Sequence, residues 1–181
     1  MDMSRKFLYF GYGSNMLAKR IHIQNPTAVR VGCGRLQNYR LDFHTLSKNW
    51  HGAPATVVPS EGAHVLGAIW EIDVCNMKDL DDQEGVCQGV YIPVTLPVLC
   101  LGANTILCCR SYHLVQQPLG DLCKIPKDVV PYERQPSKTY LKTLVKGALE
   151  TGIEANYVEW LRSLRHNEVV VDELEEKLEL H

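Results

Sequence analysis

No C-x-x-C pair, no H-x-x-x-H pair and no other zinc-type ligand spacing occurs in this 181-residue sequence, although it holds 7 cysteines and 7 histidines. A metal site is therefore not encoded, and neither metal nor organic cofactor is expected. Charge of one sign is missing too. Lys plus Arg number 19 against 21 Asp plus Glu, a formal net charge of -2, which leaves no bulk positive field for a phosphate backbone or an anionic lipid surface. Nucleic acid and membrane are not expected partners. The chain lacks internal repeats and linkers rich in Pro, Gly and Ser, so a single domain over residues 1–181 is expected. Only Phe7 to Phe10 precede Gly11 as an apolar stretch, too few for a secretory signal, and the odd cysteine count reads as reduced thiols in the cytoplasm.

One long segment does lack charge. Residues 85–109 carry no acidic or basic side chain, which is long enough to span a bilayer. Pro93, Pro97, Gly102 and Asn104 interrupt it, so Val90–Leu99 and Thr105–Leu114 read as two strands of a buried hairpin turning at Gly102-Ala103-Asn104. Phe7–Tyr12 reads as a strand and Asn15–Ile21 as a short helix beyond a glycine turn. Further short strands are expected at Val29–Arg35, Tyr39–Phe43, Ala55–Val58 and Val65–Ile72, followed by a helix over Asn76–Glu84. Pro118–Pro136 holds four of the nine prolines and reads as a loop. Ser137 is a good N-cap for a helix stopped by Gly152. A second helix buries Tyr157, Trp160, Leu161 and Leu164, and Val171, Leu174 and Leu178 sit at the spacing of a docked terminal helix. Strands first and helices later give an α+β class, with a largely antiparallel sheet curled toward a barrel.

Two places could carry chemistry. In Tyr9-Phe10-Gly11-Tyr12-Gly13-Ser14-Asn15, two glycines let the backbone turn sharply and present N-H groups to a ligand. Met16 stands where a dinucleotide fingerprint needs its third glycine, and no Walker lysine follows. The plain alternative is a strand-to-helix turn capped by Ser14, with no ligand. In Leu80-Asp81-Asp82-Gln83-Glu84-Gly85, helical phase puts Glu84 about 20° from Met77 and about 40° from Leu80, on the apolar stripe. A carboxylate is aimed inward, where burial and the negative end of the helix raise its pKa. The alternatives are a frayed last turn in water, or a buried ion pair with an arginine such as Arg110. The cysteines offer no nucleophile signature and read as buried, inert thiols. Trp50-His51-Gly52 reads as loop packing or a pocket wall.

Taken together these residues resemble the γ-glutamylcyclotransferase family. The Tyr9 to Asn15 turn is similar to its signature, and Leu80 to Gly85 to the segment with its catalytic glutamate. Leu36-Gln37 with Leu41-Asp42-Phe43, Trp50-His51-Gly52, Gly67-Ala68-Ile69-Trp70, Cys109-Arg110-Ser111-Tyr112 and Pro136-Ser137 with Tyr140 follow in the family's order. The resemblance runs from about residue 7 to 150. It implies a small mixed barrel-like sheet with flanking helices, commonly homodimeric, that converts γ-glutamyl amino acids or dipeptides into 5-oxoproline and a free amino acid. It implies Glu84 as general acid and base, Tyr9, Phe10, Gly11, Tyr12, Gly13 and Ser14 as the cradle for the γ-glutamyl group, and Tyr140 closing over the substrate. Gly11 departs from the alanine expected there. Action on γ-glutamyl amines, and a non-catalytic γ-glutamyl- or peptide-binding module, are the competing readings.

Overall fold

The structure is a computed structural model and describes residues 5–181; residues 1–4 of the segment weighed as a signal lie outside it. Five strands close into a barrel in the order β1-β3-β2-β4-β5, so the α+β, barrel-like expectation holds. β1 (Lys6–Gly11) enters the interior with its last residues, Tyr9, Phe10 and Gly11, all buried. It pairs antiparallel with β3 from Lys6↔Asp73 to Gly11↔Ala68, and Tyr9↔Arg110 closes the ring in parallel with β5. Closure removes the free edges that an open sheet would expose.

The four short strands expected in the first half are two long ones, β2 (Val29–Phe43) and β3 (Ala55–Asp73). They pair antiparallel from Val29↔Glu71 to Phe43↔Ala55, with register shifts at Arg30/Gly32 and Gln37/Tyr39. At the second shift Asn38 has φ 63 and its Oδ1 accepts from the Gly62 amide at 3.0 Å. The polar stretch that reads as a break is therefore a bulge, where extra residues loop out without ending the strand. β4 (Tyr91–Cys100) and β5 (Thr105–Leu114) form the expected hairpin, paired from Tyr91↔Leu114 to Cys100↔Thr105. Among the described residues no helix is long and apolar enough to cross a membrane.

The helix expected at Asn15–Ile21 is interrupted. A 3₁₀ turn covers Ser14–Met16, Leu17 is extended at φ -81 and ψ 121, and α1 is only Ala18–Ile21. Gly13 occupies the capping position and no side chain caps the turn, so Ser14 is not the N-cap. α2 (Met77–Gln83) ends as expected, with Glu84 at its C-cap and Gly85 at φ 67, a left-handed conformation natural to glycine. Pro118–Pro136 is not featureless, for it holds three 3₁₀ turns. Arg134 pins it by donating to Asp42 at 2.7 and 2.8 Å and to the Leu119 and Gly120 carbonyls, both at 3.0 Å. Asp42 is fully buried, and a buried carboxylate needs such a partner.

α3 (Lys138–Thr151) begins where Ser137 accepts from the Tyr140 amide and stops at left-handed Gly152. Its inner face is Tyr140, Leu141, Leu144 and Ala148. α4 (Ala155–Arg162) buries Tyr157 and Leu161, and α5 (Asp172–Lys177) docks through Leu174 and Leu178. Its Glu175, rather than facing water, is buried and accepts from Thr139 at 2.9 Å and Lys142 at 2.8 Å. All seven cysteines are free thiols, but the expectation that they are buried fails for four: Cys75, Cys87, Cys108 and Cys123 are exposed. An apolar strand sequence does not bury both faces, and Cys108 points outward while Cys109 points in.

Candidate active site

Where β1 ends, the glycine turn meets the end of α2, and the space between them is a narrow cavity of about 30 Å³. Tyr9, Tyr12, Gly13, Ser14, Asn15, Ala55, Glu84, Tyr91, Tyr112 and Tyr140 line it. Of the residues expected from the sequence, the fold thus brings Tyr9, Tyr12, Gly13, Ser14, Glu84 and Tyr140 together. Phe10 and Gly11 do not line the cavity. Strand alternation turns Phe10 into the barrel core, and Gly11 is still paired with Ala68. A larger depression of about 440 Å³ opens on the outside of the barrel, but its carboxylate, Glu71, is taken up by Lys6 at 2.9 Å.

Glu84 is partly exposed as a residue because it faces this cavity, yet burial pushes its carboxyl up to about 7. The Arg20 charge opposes that rise, and Asp81 adds to it. The ion pair with Arg110 weighed from the sequence is not formed. Arg110 instead forks onto Asp81 at 2.7 and 2.9 Å, and Tyr112 donates its hydroxyl to the same carboxylate. Glu84 accepts from Asn15 Nδ2 at 3.1 Å, and Asn15 also touches the Tyr9 hydroxyl at 3.1 Å. The turn holding Asn15 is fixed by Trp70, whose indole N-H donates to the Asn15 carbonyl at 2.8 Å.

Besides Tyr112, four tyrosines wall the cavity. Burial holds Tyr9, Tyr12, Tyr91 and Tyr140 well above their ordinary value, so they stay protonated. Tyr140 OH accepts from the Ala55 amide at 3.0 Å, and its ring packs on Trp50 with centroids 4.8 Å apart. Trp50 therefore backs the site from behind Tyr140 rather than lining it. A Cβ on Gly13 would lie 3.0 Å from the Tyr140 hydroxyl, so a side chain there would press on Tyr140. Gly13, Ser14 and Asn15 sit at the start of a helical turn, where amides have no intrahelical acceptor and remain available to a ligand. Among the described residues no cluster of three or more His, Cys, Asp or Glu could hold a metal ion.

Sequence reasoning assigned no site role of their own to Asn15, Arg20, Tyr91 and Tyr112. Asn15 and Tyr112 lie inside motifs quoted from the sequence, so a signal for them existed. Arg20 had none, because its approach to Glu84 depends on how α1 packs against α2.

Residues 64–161 match the AIG2-like family. A γ-glutamylcyclotransferase of Bos taurus is 38% identical over 166 residues, 90% of this chain and 80% of that protein. The one of Homo sapiens is 36% identical over 167 residues, with the same shares covered. A solved γ-glutamyl cyclotransferase superposes with a TM-score of 0.83 at 34% identity, covering 98% of this chain and all of that one. The chain belongs to the γ-glutamylcyclotransferase family.

Proposed function

We propose that this enzyme acts on γ-glutamyl amino acids and dipeptides, releasing 5-oxoproline and a free amino acid, with Glu84 moving the protons. The observation that carries the reading is the Glu84 carboxyl, facing the cavity and held near 7 by burial. A group so placed both accepts and returns a proton near neutral pH.

The reaction is internal to the substrate. Its α-amine attacks the γ-carbonyl carbon, a carbon-nitrogen bond of the lactam forms, and the bond to the departing amine breaks. The α-ammonium loses two protons in becoming the lactam N-H, one before the attack and one after it, and Glu84 relays them in turn to the leaving nitrogen, which departs as an amine and ends as an ammonium, so nothing is consumed. Holding the folded conformer supplies much of the acceleration. Amides at Gly13, Ser14 and Asn15 are the donors for the α-carboxylate or the oxyanion of the tetrahedral intermediate. Tyr9, Tyr12, Tyr91 and Tyr140 exclude water around them.

The reading extends to a place in glutathione metabolism, a cytoplasmic setting, in keeping with seven free thiols, and a homodimer, which sedimentation of the purified chain tests. Incubation with γ-glutamyl dipeptides, γ-glutamyl-lysine and glutathione, with 5-oxoproline measured, tests the activity. Product from dipeptides is expected, and its absence from every substrate contradicts the reading.

A further inference from the structure

A groove of about 370 Å³ lies between α1, the loop carrying Lys48 and Trp50, and α5. Trp50 and Leu174 belong to its apolar lining, and Arg20, Lys48, Lys177 and Glu173 bring charge to it. Trp50 is also the ring on which Tyr140 packs, with centroids 4.8 Å apart. The groove and the cavity are therefore the two sides of one wall, and they share no lining residue.

The charges in the groove are left over from folding. Among the described residues none of Arg20, Lys48, Lys177 and Glu173 takes part in an ion pair. Lys48, Lys177 and Glu173 are exposed, whereas Arg20 is half-buried. Its guanidinium lies 5.8 Å from the centre of the Trp50 ring, and burial pulls it below the usual arginine value. The neutral carboxamide of Gln83 turns its oxygen to Arg20, taking Nη1 at 2.9 Å and Nη2 at 3.0 Å. That uses two of five N-H groups and supplies no negative charge. A carboxylate forking onto the guanidinium would supply it.

Three cations favour a carboxylate in the ligand, the lone Glu173 favours an ammonium, and Trp50 with Leu174 favours an apolar side chain between them. A free amino acid carries all three on one small molecule. The volume suits it, since small-molecule sites begin at about 300 Å³.

We propose that this groove is a second binding site, separate from the cavity, for a free amino acid with an apolar side chain. Its carboxylate lies on Arg20 with Lys48 and Lys177 about it, its ammonium on Glu173, and its side chain on Trp50 and Leu174. The reaction proposed above releases molecules of this class, so the groove is placed to sense product; the binding itself does not depend on that reading.

NMR titration of the full chain with leucine tests the site without any turnover. Saturable shifts of the Asn49, Trp50 and Leu174 amides are expected, with a Kd in the millimolar range. Leucinamide, which lacks the carboxylate, and N-acetylleucine, which lacks the ammonium, are each expected to bind at least about fivefold more weakly. Glu173→Gln, an exposed change outside the cavity, is expected to erase the preference for leucine over N-acetylleucine while the preference over leucinamide stays. Leucine that produces no saturable shift overturns the proposal, as do shifts confined to cavity residues such as Tyr9 and Ser14. N-acetylleucine binding the unaltered protein as well as leucine, or a full preference kept in Glu173→Gln, overturns the amino-acid assignment.

Discussion

Arg110 holds both carboxylate oxygens of Asp81, at 2.7 and 2.9 Å, three residues before Glu84. That pairing removes the one nearby arginine that would otherwise reach for Glu84 from β5, and it anchors the last turn of α2 to the barrel wall. Asp81 keeps enough charge to raise Glu84 further. Replacing Asp81 by Asn removes this charge, so the Glu84 carboxylate persists to lower pH. The acid limb of kcat is expected to move to lower pH. A limb that stays in place, with only a uniform loss of rate, contradicts the electrostatic role of Asp81.

Glu84 also sets a stability trend. Its folded value of about 7 lies above the 4.5 of the free carboxyl, so the folded state binds the proton more tightly. Stability linked to this group is present below 4.5 and lost as the pH rises through 7, a loss of about 3 kcal/mol when complete. Glu84→Gln lacks that loss. Urea unfolding is expected to show the variant gaining on the unaltered protein between about pH 5 and pH 8. Parallel pH trends for the two proteins refute the raised carboxyl.

Tyr140 differs from the simple lid suggested by the sequence, because its hydroxyl already accepts from Ala55 at 3.0 Å. Tyr140→Phe leaves that buried amide unpaired, and a stability loss of about 1 to 3 kcal/mol is expected while substantial turnover remains. Unchanged thermal and chemical unfolding would mean that the bond contributes nothing.

How much of this was legible follows from distance along the chain. Helical phase alone aimed Glu84 inward, because Met77, Leu80 and Glu84 share one short helix. The glycine turn after β1 was legible for the same local reason. What surrounds Glu84 was not: Asn15 and Arg20 come from the other end of the chain, and Asp81, rather than Glu84, captures Arg110 through packing that no spacing encodes. Phe10 was mistaken for a site residue because the motif is contiguous, whereas a strand sends alternate side chains to opposite faces. The length of β2 and β3 was hidden by Asn38 and Gly62, residue types that ordinarily mark turns and here mark a bulge.

The thiols divide by exposure. Mild alkylation of the folded protein is expected to label Cys75, Cys87, Cys108 and Cys123 and to spare Cys100 and Cys109; burial pushes the Cys109 thiol up to about 11, leaving little thiolate to react. Turnover is expected to survive, since none of the seven lines the cavity. Inactivation with a single labelled cysteine and substrate still bound would require a cysteine in the mechanism.

Arg134→Leu leaves the fully buried Asp42 with Arg40 as its remaining cation, at 3.1 Å. A loss of about 1 to 3 kcal/mol is expected from removing one of the two cations on a buried carboxylate, with the Leu119–Gly120 stretch released from the barrel. Equilibrium unfolding checks the loss, and a change under about 1 kcal/mol would show that Arg40 suffices.

The central claim is that Glu84 carries the proton between the substrate's two nitrogens. Glu84→Gln keeps the shape and removes only that capacity, so steady-state kinetics with a γ-glutamyl dipeptide, beside calorimetric binding on the same protein, tests it most directly. The account predicts retained binding, an intact fold and a kcat lowered by at least about a hundredfold. A Glu84→Gln protein that forms 5-oxoproline at near the unaltered rate would contradict it.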